Sequence, residues 1–303
     1  MNKYNRNRYG KTVFSISGLI KLPVVLMRMK QLRIYLIQRF KLILPAAWMN
    51  QIRNQYLYWR YSDTNRRFAA NYPDKVLPPL AFLAETFKPD YAAYFQEGNA
   101  TVDELMRLLK PNMSNNASNA LDWGCGIGRL TTHLQKTLPA LHWYACDVRA
   151  DMIQWNQRHL PQINFAVSDQ EPPLPFHHIK FDLIIGFSVF THIPAALQED
   201  WLKALSEKLT DTGIVLFTTH GSAYAHHLSA KQQAALAEVG YWDNLIGKAG
   251  SRSRATYHHA PKFQSIIEQY VEVLAWYDGI QYPSLIGGQD IWICKKKVPQ
   301  LRD

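Results

Sequence analysis

Residues 121–128 read Leu-Asp-Trp-Gly-Cys-Gly-Ile-Gly, an apolar stretch with one acid that runs straight into glycines at alternate positions, Gly124, Gly126 and Gly128. The segment Thr131 to Leu138 that follows is compatible with a helix. The order is strand, tight turn, helix. Glycine is needed where the backbone turns through positive φ and where a ligand presses on the main chain. In an open α/β sheet such a turn lies at the carboxyl end of a strand, the usual ligand position. The chain is thereby restricted to folds built on strand–turn–helix units.

The spacing is G-x-G-x-G preceded by Asp122, whereas dinucleotide loops read G-x-G-x-x-G. Taken alone it fits a simple tight turn, and an acid at a strand end fits a helix N-cap. Further runs extend the pattern. A second strand, Leu-His-Trp-Tyr-Ala-Cys, ends at Asp147, whose carboxylate suits a ribose diol. A third, Ile163 to Val167, ends at Ser168-Asp169, suited to the edge of an adenine ring. A fourth, Phe181 to Phe187, leads into Ser188-Val-Phe-Thr-His192, and a fifth, Gly213 to Thr219, ends at His220-Gly221.

With Glu-Pro-Pro-Leu-Pro-Phe (171–176) and Leu209-Thr-Asp-Thr-Gly-Ile-Val-Leu, these segments resemble the class I S-adenosylmethionine-dependent methyltransferases, especially bacterial ones acting on surface glycans and secondary metabolites. The resemblance covers residues 95–221 well and the rest of 63–297 loosely. It implies an α/β fold: a Rossmann-like seven-stranded sheet with an antiparallel C-terminal strand and helices on both faces. It also implies S-adenosyl-L-methionine as cofactor. Asp122, Gly124, Cys125, Gly126 and Gly128 would face the methionine part, with Glu97 and Gly98 of Phe95-Gln-Glu-Gly98 closing over it. Asp147 would take the ribose, Ser168 and Asp169 the adenine, and Val148 and Ser188 are further cofactor-binding positions.

The reaction so implied is in-line methyl transfer from a sulfonium, in which alignment is the protein's main task. A neutral hydroxyl acceptor benefits from a general base, and histidine suits that role near neutral pH. His192 and His220 sit at strand ends and are the catalytic candidates, His192 first; the plainer reading is that they order the loops they occupy. His226-His227 and His258-His259 are poor paired ligands, because adjacent side chains on a regular element diverge. Tyr257 and Arg254 are further acceptor contacts, and Arg254 would suit an anion. No metal-ligand set is expected. Neither an Asn/Asp-Pro-Pro-Tyr/Phe motif nor a Pro-Cys nucleophile follows the fourth strand, which points away from base methylation. O-methylation of a glycan, glycolipid or small metabolite is expected. The rivals are an RNA or protein methyltransferase steered by basic residues, and a non-catalytic cofactor-binding scaffold.

Net charge is +10, yet residues 1–62 hold twelve Lys and Arg and no acid, leaving 22 basic against 24 acidic residues in the remainder. A methyltransferase body over 63–303 is therefore nearly neutral and shows no nucleic-acid footprint of its own. The arm, 1–62, is expected to begin flexibly. Between Pro23 and Pro45 it should form an amphipathic helix with apolar Leu22, Val25, Met29, Leu32, Leu36, Phe40 and Ile43. No run reaches the length of a membrane span. A basic amphipathic helix lies readily on an anionic bilayer. Packing on the body or dimerisation suits it as well, and organelle targeting and RNA binding are the lesser alternatives. A cytoplasmic protein, peripheral at the inner membrane face, is expected, with no secretory signal legible near the start. The three cysteines read as small core residues.

The aromatic-rich residues 46–94, broken by Pro73, Pro78, Pro79 and Pro89, predict short helices. Thr101 with Glu104 predicts an N-cap for a helix to Leu109. Residues 222–262 interrupt the alternation and read as an acceptor lid, with helices over Ser229–Val239 and from Pro261 and a basic loop at Gly247–Arg254. Strands at Val271–Tyr277 and Asp290–Lys296, joined through Gly279–Gly288, close the chain.

Overall fold

The computed structural model describes residues 46–244, 254–282 and 287–297. The expected amphipathic helix between Pro23 and Pro45, the flexible start, most of the 247–254 loop and part of the 279–288 connection lie outside the described residues. Contacts divide the chain into a unit ending at Trp59 and a second from Arg60 onward. In the first, Ala46 to Trp59 is helical.

Strand and helix alternate as the apolar runs dictate. The strands are β1 (Asn119–Trp123), β2 (His142–Asp147), β3 (Asn164–Val167), β4 (Phe181–Gly186), β5 (Leu209–Thr219), β6 (Tyr241–Asp243), β7 (Thr256–His258), β8 (Val271–Tyr277) and β9 (Asp290–Lys296). The helices are α1 (Ala46–Asn71), α2 (Leu80–Thr86), α3 (Tyr91–Leu109), α4 (Thr131–Thr137), α5 (Ala150–His159), α6 (Gln198–Lys208), α7 (Ser222–Ala225), α8 (Ala230–Val239) and α9 (Ala260–Ile267). Seven strands form one sheet in the order β3-β2-β1-β4-β5-β9-β8. β1 to β5 run parallel, and β9 is antiparallel to both β5 and β8. Strand order reverses between β1 and β4, which opens a crevice at their carboxyl ends.

The sheet is buried on both faces because its strands carry apolar residues at successive positions, as parallel strands under helices must. Ala120, Leu183, Ile185 and Leu216 face one core with Leu105, Leu109, Leu134 and Ile153 of α3, α4 and α5. Leu121, Trp123, Ile184 and Phe217 face the other with Trp201 and Leu205 of α6 and Phe263 of α9. Cys125, Cys146 and Cys294 are buried free thiols, small core residues as the sequence implies.

Two expectations are corrected. α1 is a single helix of 26 residues rather than several short ones, because no proline falls between Pro45 and Pro73. The helix expected from Thr101 begins ten residues earlier, at Tyr91, with the Asp90 carboxylate accepting the Ala93 amide. Thr101 is interior and its hydroxyl donates to the Glu97 carbonyl at 2.6 Å. Asn65 ties Pro89 and Tyr91 down through both ends of its amide, and Phe68 stacks on Phe95 at 5.5 Å. That tertiary anchoring supplies the earlier start.

Trp292 sits on β9, where the antiparallel edge joins the parallel strands. It is fully buried on β9 among Phe217, Phe263 and Trp276, and its indole N–H donates to Thr219 at 3.0 Å. Trp292→Ala is expected to lower unfolding free energy by about 3–5 kcal/mol in urea titration. A loss below about 1 kcal/mol would show that the antiparallel edge does not brace the sheet.

Candidate functional site

The turn after β1 is shaped by its glycines. Gly124, Gly126 and Gly128 have φ of 74°, 53° and 73°, the left-handed region that side chains resist. A Cβ on Gly124 would lie 2.4 Å from Val189 of the loop after β4. The two loops at the reversal point therefore touch, and glycine is what lets them. The Gly124 and Cys125 amides both donate to the Cys146 carbonyl, at 2.8 and 3.0 Å. The Cys125 side chain turns into the core, so only its main chain belongs to the loop.

Asp147, at the end of β2, closes the turn. Its carboxylate accepts the Gly126 amide at 2.8 Å on one oxygen and the Arg149 amide at 2.9 Å on the other. Burial nevertheless pushes its pKa upward, against the pull of these amides. Each oxygen keeps lone-pair capacity beyond its amide, which is what a diol would use. Val148 is half-buried beside it. Ser168 is buried and its amide bonds the Asp147 carbonyl at 3.0 Å. Asp169 is exposed and, with Gln170, Glu171 and Pro172, lines a cleft of about 500 Å³.

Beneath the glycines, Asp122 is 2% exposed and accepts the Thr131 hydroxyl at 2.5 Å. Burial raises its pKa to about 6, more than the Thr131 bond lowers it. Above it lies Arg129, a residue that motif reading passed over. Its guanidinium packs between Phe87 and Phe187, 4.6 and 5.6 Å from the ring centres. It makes no ion pair among the described residues, and burial lowers its pKa. Its nearest opposing charges are Asp122 and Glu97. Tyr94 fixes the same loop by donating to the Ile127 carbonyl at 3.0 Å. The available signal was position, since an Arg directly after the last loop glycine starts the following turn. Glu97 pairs with Lys88 at 2.5 Å on the surface of α3, and Gly98 lies buried against Arg129 and His133.

The loop after β4 holds Ser188, half-buried with φ of 60°, and His192. The His192 Nδ1 donates to the Arg254 carbonyl at 2.7 Å, which makes Nε2 the basic nitrogen. Facing it at 6.3 Å between ring centres is His220, at the end of β5. His220 stacks on Tyr224 at 4.2 Å and its buried Nδ1 has no hydrogen-bond partner among the described residues. Burial, and then the neighbouring His192, lower its pKa to about 3.

The expected lid is a hairpin, β6 with β7, whose neck is bonded to this loop. The Thr256 amide donates to the Thr191 carbonyl at 2.8 Å and its hydroxyl to the Ile193 carbonyl at 2.6 Å. The Ala195 amide donates to Asp243 at 2.9 Å, and Asp243 also faces buried Arg254 at 4.0 Å. Gln198 donates to Phe190 and Ile193 carbonyls, so its oxygen receives the Nε2 proton of buried His258 at 3.1 Å. Burial, and then His220, push the His258 pKa well down, so this imidazole is neutral and structural. His226 and His227, expected to diverge, bring their rings to 3.6 Å, because α7 ends there and no regular element separates them. With Tyr224 they border a cleft of about 680 Å³.

The structure thus gathers Asp122, the glycines, Asp147, Ser188, His192 and His220 at one end of the sheet. Residues 120–213 match the family model described as a methyltransferase domain. The chain is 30% identical over 151 residues to malonyl-[acyl-carrier protein] O-methyltransferase of Bacillus cereus, covering 49% of this chain and 55% of that protein. It is 26% identical over 156 residues to the protein of that name from Priestia megaterium, covering 51% and 56%. The chain therefore spans about half the length of the curated relatives it matches. Among solved structures, an S-adenosylmethionine-dependent methyltransferase from Clostridium acetobutylicum is 16% identical with a TM-score of 0.47, covering 77% of this chain and 99% of that one.

Asp122 and His220 titrate in opposite senses. Asp122 keeps its proton in the folded state to about pH 6, against an ordinary value of 3.8. Its stabilising contribution is full below about pH 4 and is lost as pH rises through 6. His220, neutral in the fold down to about pH 3 against 6.5, contributes fully above 6.5 and loses it as pH falls. Asp122→Asn should isolate the first effect, gaining stability on the wild type between pH 4 and 7 in urea titrations. A difference independent of pH would mean that Asp122 ionises as an ordinary carboxylate.

Proposed function

We propose that this chain, a member of the class I S-adenosylmethionine-dependent methyltransferase family, methylates an oxygen of a glycan, glycolipid or small metabolite. One observation carries the cofactor site. At the reversal point of the sheet, left-handed glycines turn the main chain tightly while Asp147 holds the turn from the second strand. This cradle fits an adenosyl ligand with a diol and a methionine carboxylate. Asp147 would take the ribose hydroxyls, Ser168 and Asp169 the adenine edge, and Arg129 the carboxylate, which a guanidinium with no ion pair among the described residues suits. Asp122, Val148, Ser188 and the Glu97-Gly98 segment complete the shell.

Bound there, the cofactor supplies an activated methyl on a positively charged sulfur. The chain's own residues align the acceptor and manage its proton. His192 serves as general base through Nε2, with its Nδ1 proton fixed on Arg254. His220, held neutral, is too weak a base for this and instead offers the acceptor a hydrogen-bonding wall.

The names of the two curated relatives support a second reading, in which the acceptor oxygen is a carboxylate. A carboxylate is already anionic and needs no base. His192→Ala separates the two: on a hydroxyl acceptor turnover should fall by roughly 10²–10⁴, on a carboxylate by less than about tenfold. The acid-free residues 1–62 support contact with an anionic membrane surface, checked by co-sedimentation with phosphatidylglycerol vesicles against RNA binding in the same salt series.

Calorimetric titration with S-adenosylhomocysteine tests the cofactor site. The wild type should bind at micromolar affinity, and Asp147→Ala should bind about ten- to hundredfold more weakly. Arg129→Met should weaken binding by about tenfold or more. Failure of a folded wild type to bind would leave the loop as architecture. Transfer of labelled methyl to malonyl-acyl carrier protein, lipid-linked sugars or RNA then identifies the acceptor class.

A further inference from the structure

Gln289 precedes β9, far in sequence from the loops around the crevice, yet its carboxamide is bonded to them. Its Nε2 donates to Ser188 Oγ at 3.0 Å, and its Oε1 accepts the Thr218 hydroxyl at 2.6 Å. Thr218 Oγ1 in turn accepts the Ser188 amide at 2.7 Å. Thr191 closes the other side: its hydroxyl donates to the Ser188 carbonyl at 2.7 Å and lies 3.0 Å from Ser188 Oγ. Since the Thr191 proton is used on that carbonyl, Ser188 Oγ donates to Thr191 and accepts from Gln289. Every hydroxyl hydrogen in the ring is then assigned.

This ring surrounds a residue that needs it. Among the described residues Ser188 is the non-glycine position with positive φ, at 60°. Such a conformation persists where the surroundings over-determine it. Thr218 and Thr191 belong to β5 and to the loop itself. Gln289 alone in this ring reaches Ser188 from the C-terminal strand pair. Next to it, Asp290 accepts the Gly279 amide at 2.9 Å and the Trp276 indole at 3.3 Å, so the start of β9 is itself held.

We propose that Gln289 is a positioning residue, holding Ser188 in the left-handed conformation that presents the loop after β4 to the cofactor. This rests on the reading of Ser188 as part of the cofactor edge. A change that removes both hydrogen bonds but keeps side-chain length lets the loop relax and weakens cofactor binding. Glycine at 188 adopts the same φ unaided, so there the dependence on Gln289 disappears.

The test is a double-mutant cycle read by calorimetric titration with S-adenosylhomocysteine, using full-length wild type, Gln289→Met, Ser188→Gly and the double variant. Gln289→Met is expected to weaken binding about tenfold in the Ser188 background and less than about twofold in the glycine background. Gln289→Glu, which keeps the acceptor for Thr218 and loses the donor to Ser188, should show the same background dependence if the Met variant does not fold. An equal loss in both backgrounds would mark Gln289 as a general brace of β9 and overturn the proposal, as would unchanged binding by Gln289→Met. A wild type that fails to bind would instead refute the cofactor reading beneath it.

Discussion

The Asp147 carboxylate governs this site. By accepting the Gly126 amide it bonds the turn after β1 to the end of β2, and by accepting the Arg149 amide it orders the entry to α5. The turn it holds consists of left-handed glycines, which a free chain would populate in many conformations. A single charged acceptor between two amides selects one of them. The arrangement keeps a carboxylate buried enough to raise its pKa at the spot where a ligand diol would arrive. Those two amides satisfy part of its hydrogen-bonding capacity and leave the rest for a ligand.

Around that turn, the crevice is built from contacts between loops rather than from any one loop. Val189 fills the space that a side chain on Gly124 would need. The neck of the β6–β7 hairpin is bonded to residues 191–198, so the Arg254 carbonyl that sets the His192 tautomer is held by the same row of hydrogen bonds. The segment expected to act as a lid is, at its base, bonded into the wall around His192. Two histidines separated by 6.3 Å acquire different chemistry from this packing: one has its proton placed by a carbonyl, the other is kept neutral by burial.

Much of this was legible from side-chain pattern. The seven main strands, the glycine turn, Asp147 and the closing pair at Val271–Tyr277 and Asp290–Lys296 follow from apolar runs bounded by turn residues, because burial on both sheet faces leaves no alternative register. Local rules failed where distant contacts outweighed them. Thr101 with Glu104 has the chemistry of a helix start, yet Asn65 and Phe68 of α1 organise a start at Tyr91. His226 and His227 come together because their element ends beneath them.

The sequence by itself determined the order of elements, the glycine turn after β1 and the acids beside it, since these depend on residue type and spacing along a strand. Tertiary structure alone decided which side chains share the crevice. Arg129 between two aromatic rings, Gln289 on Ser188 and Arg254 over His192 join positions with no common period. Their partners are chosen by how helices and strands pack in three dimensions. The same packing excludes water from His220 and sets His192 beside it, and the two together turn an ordinary imidazole into one that stays neutral.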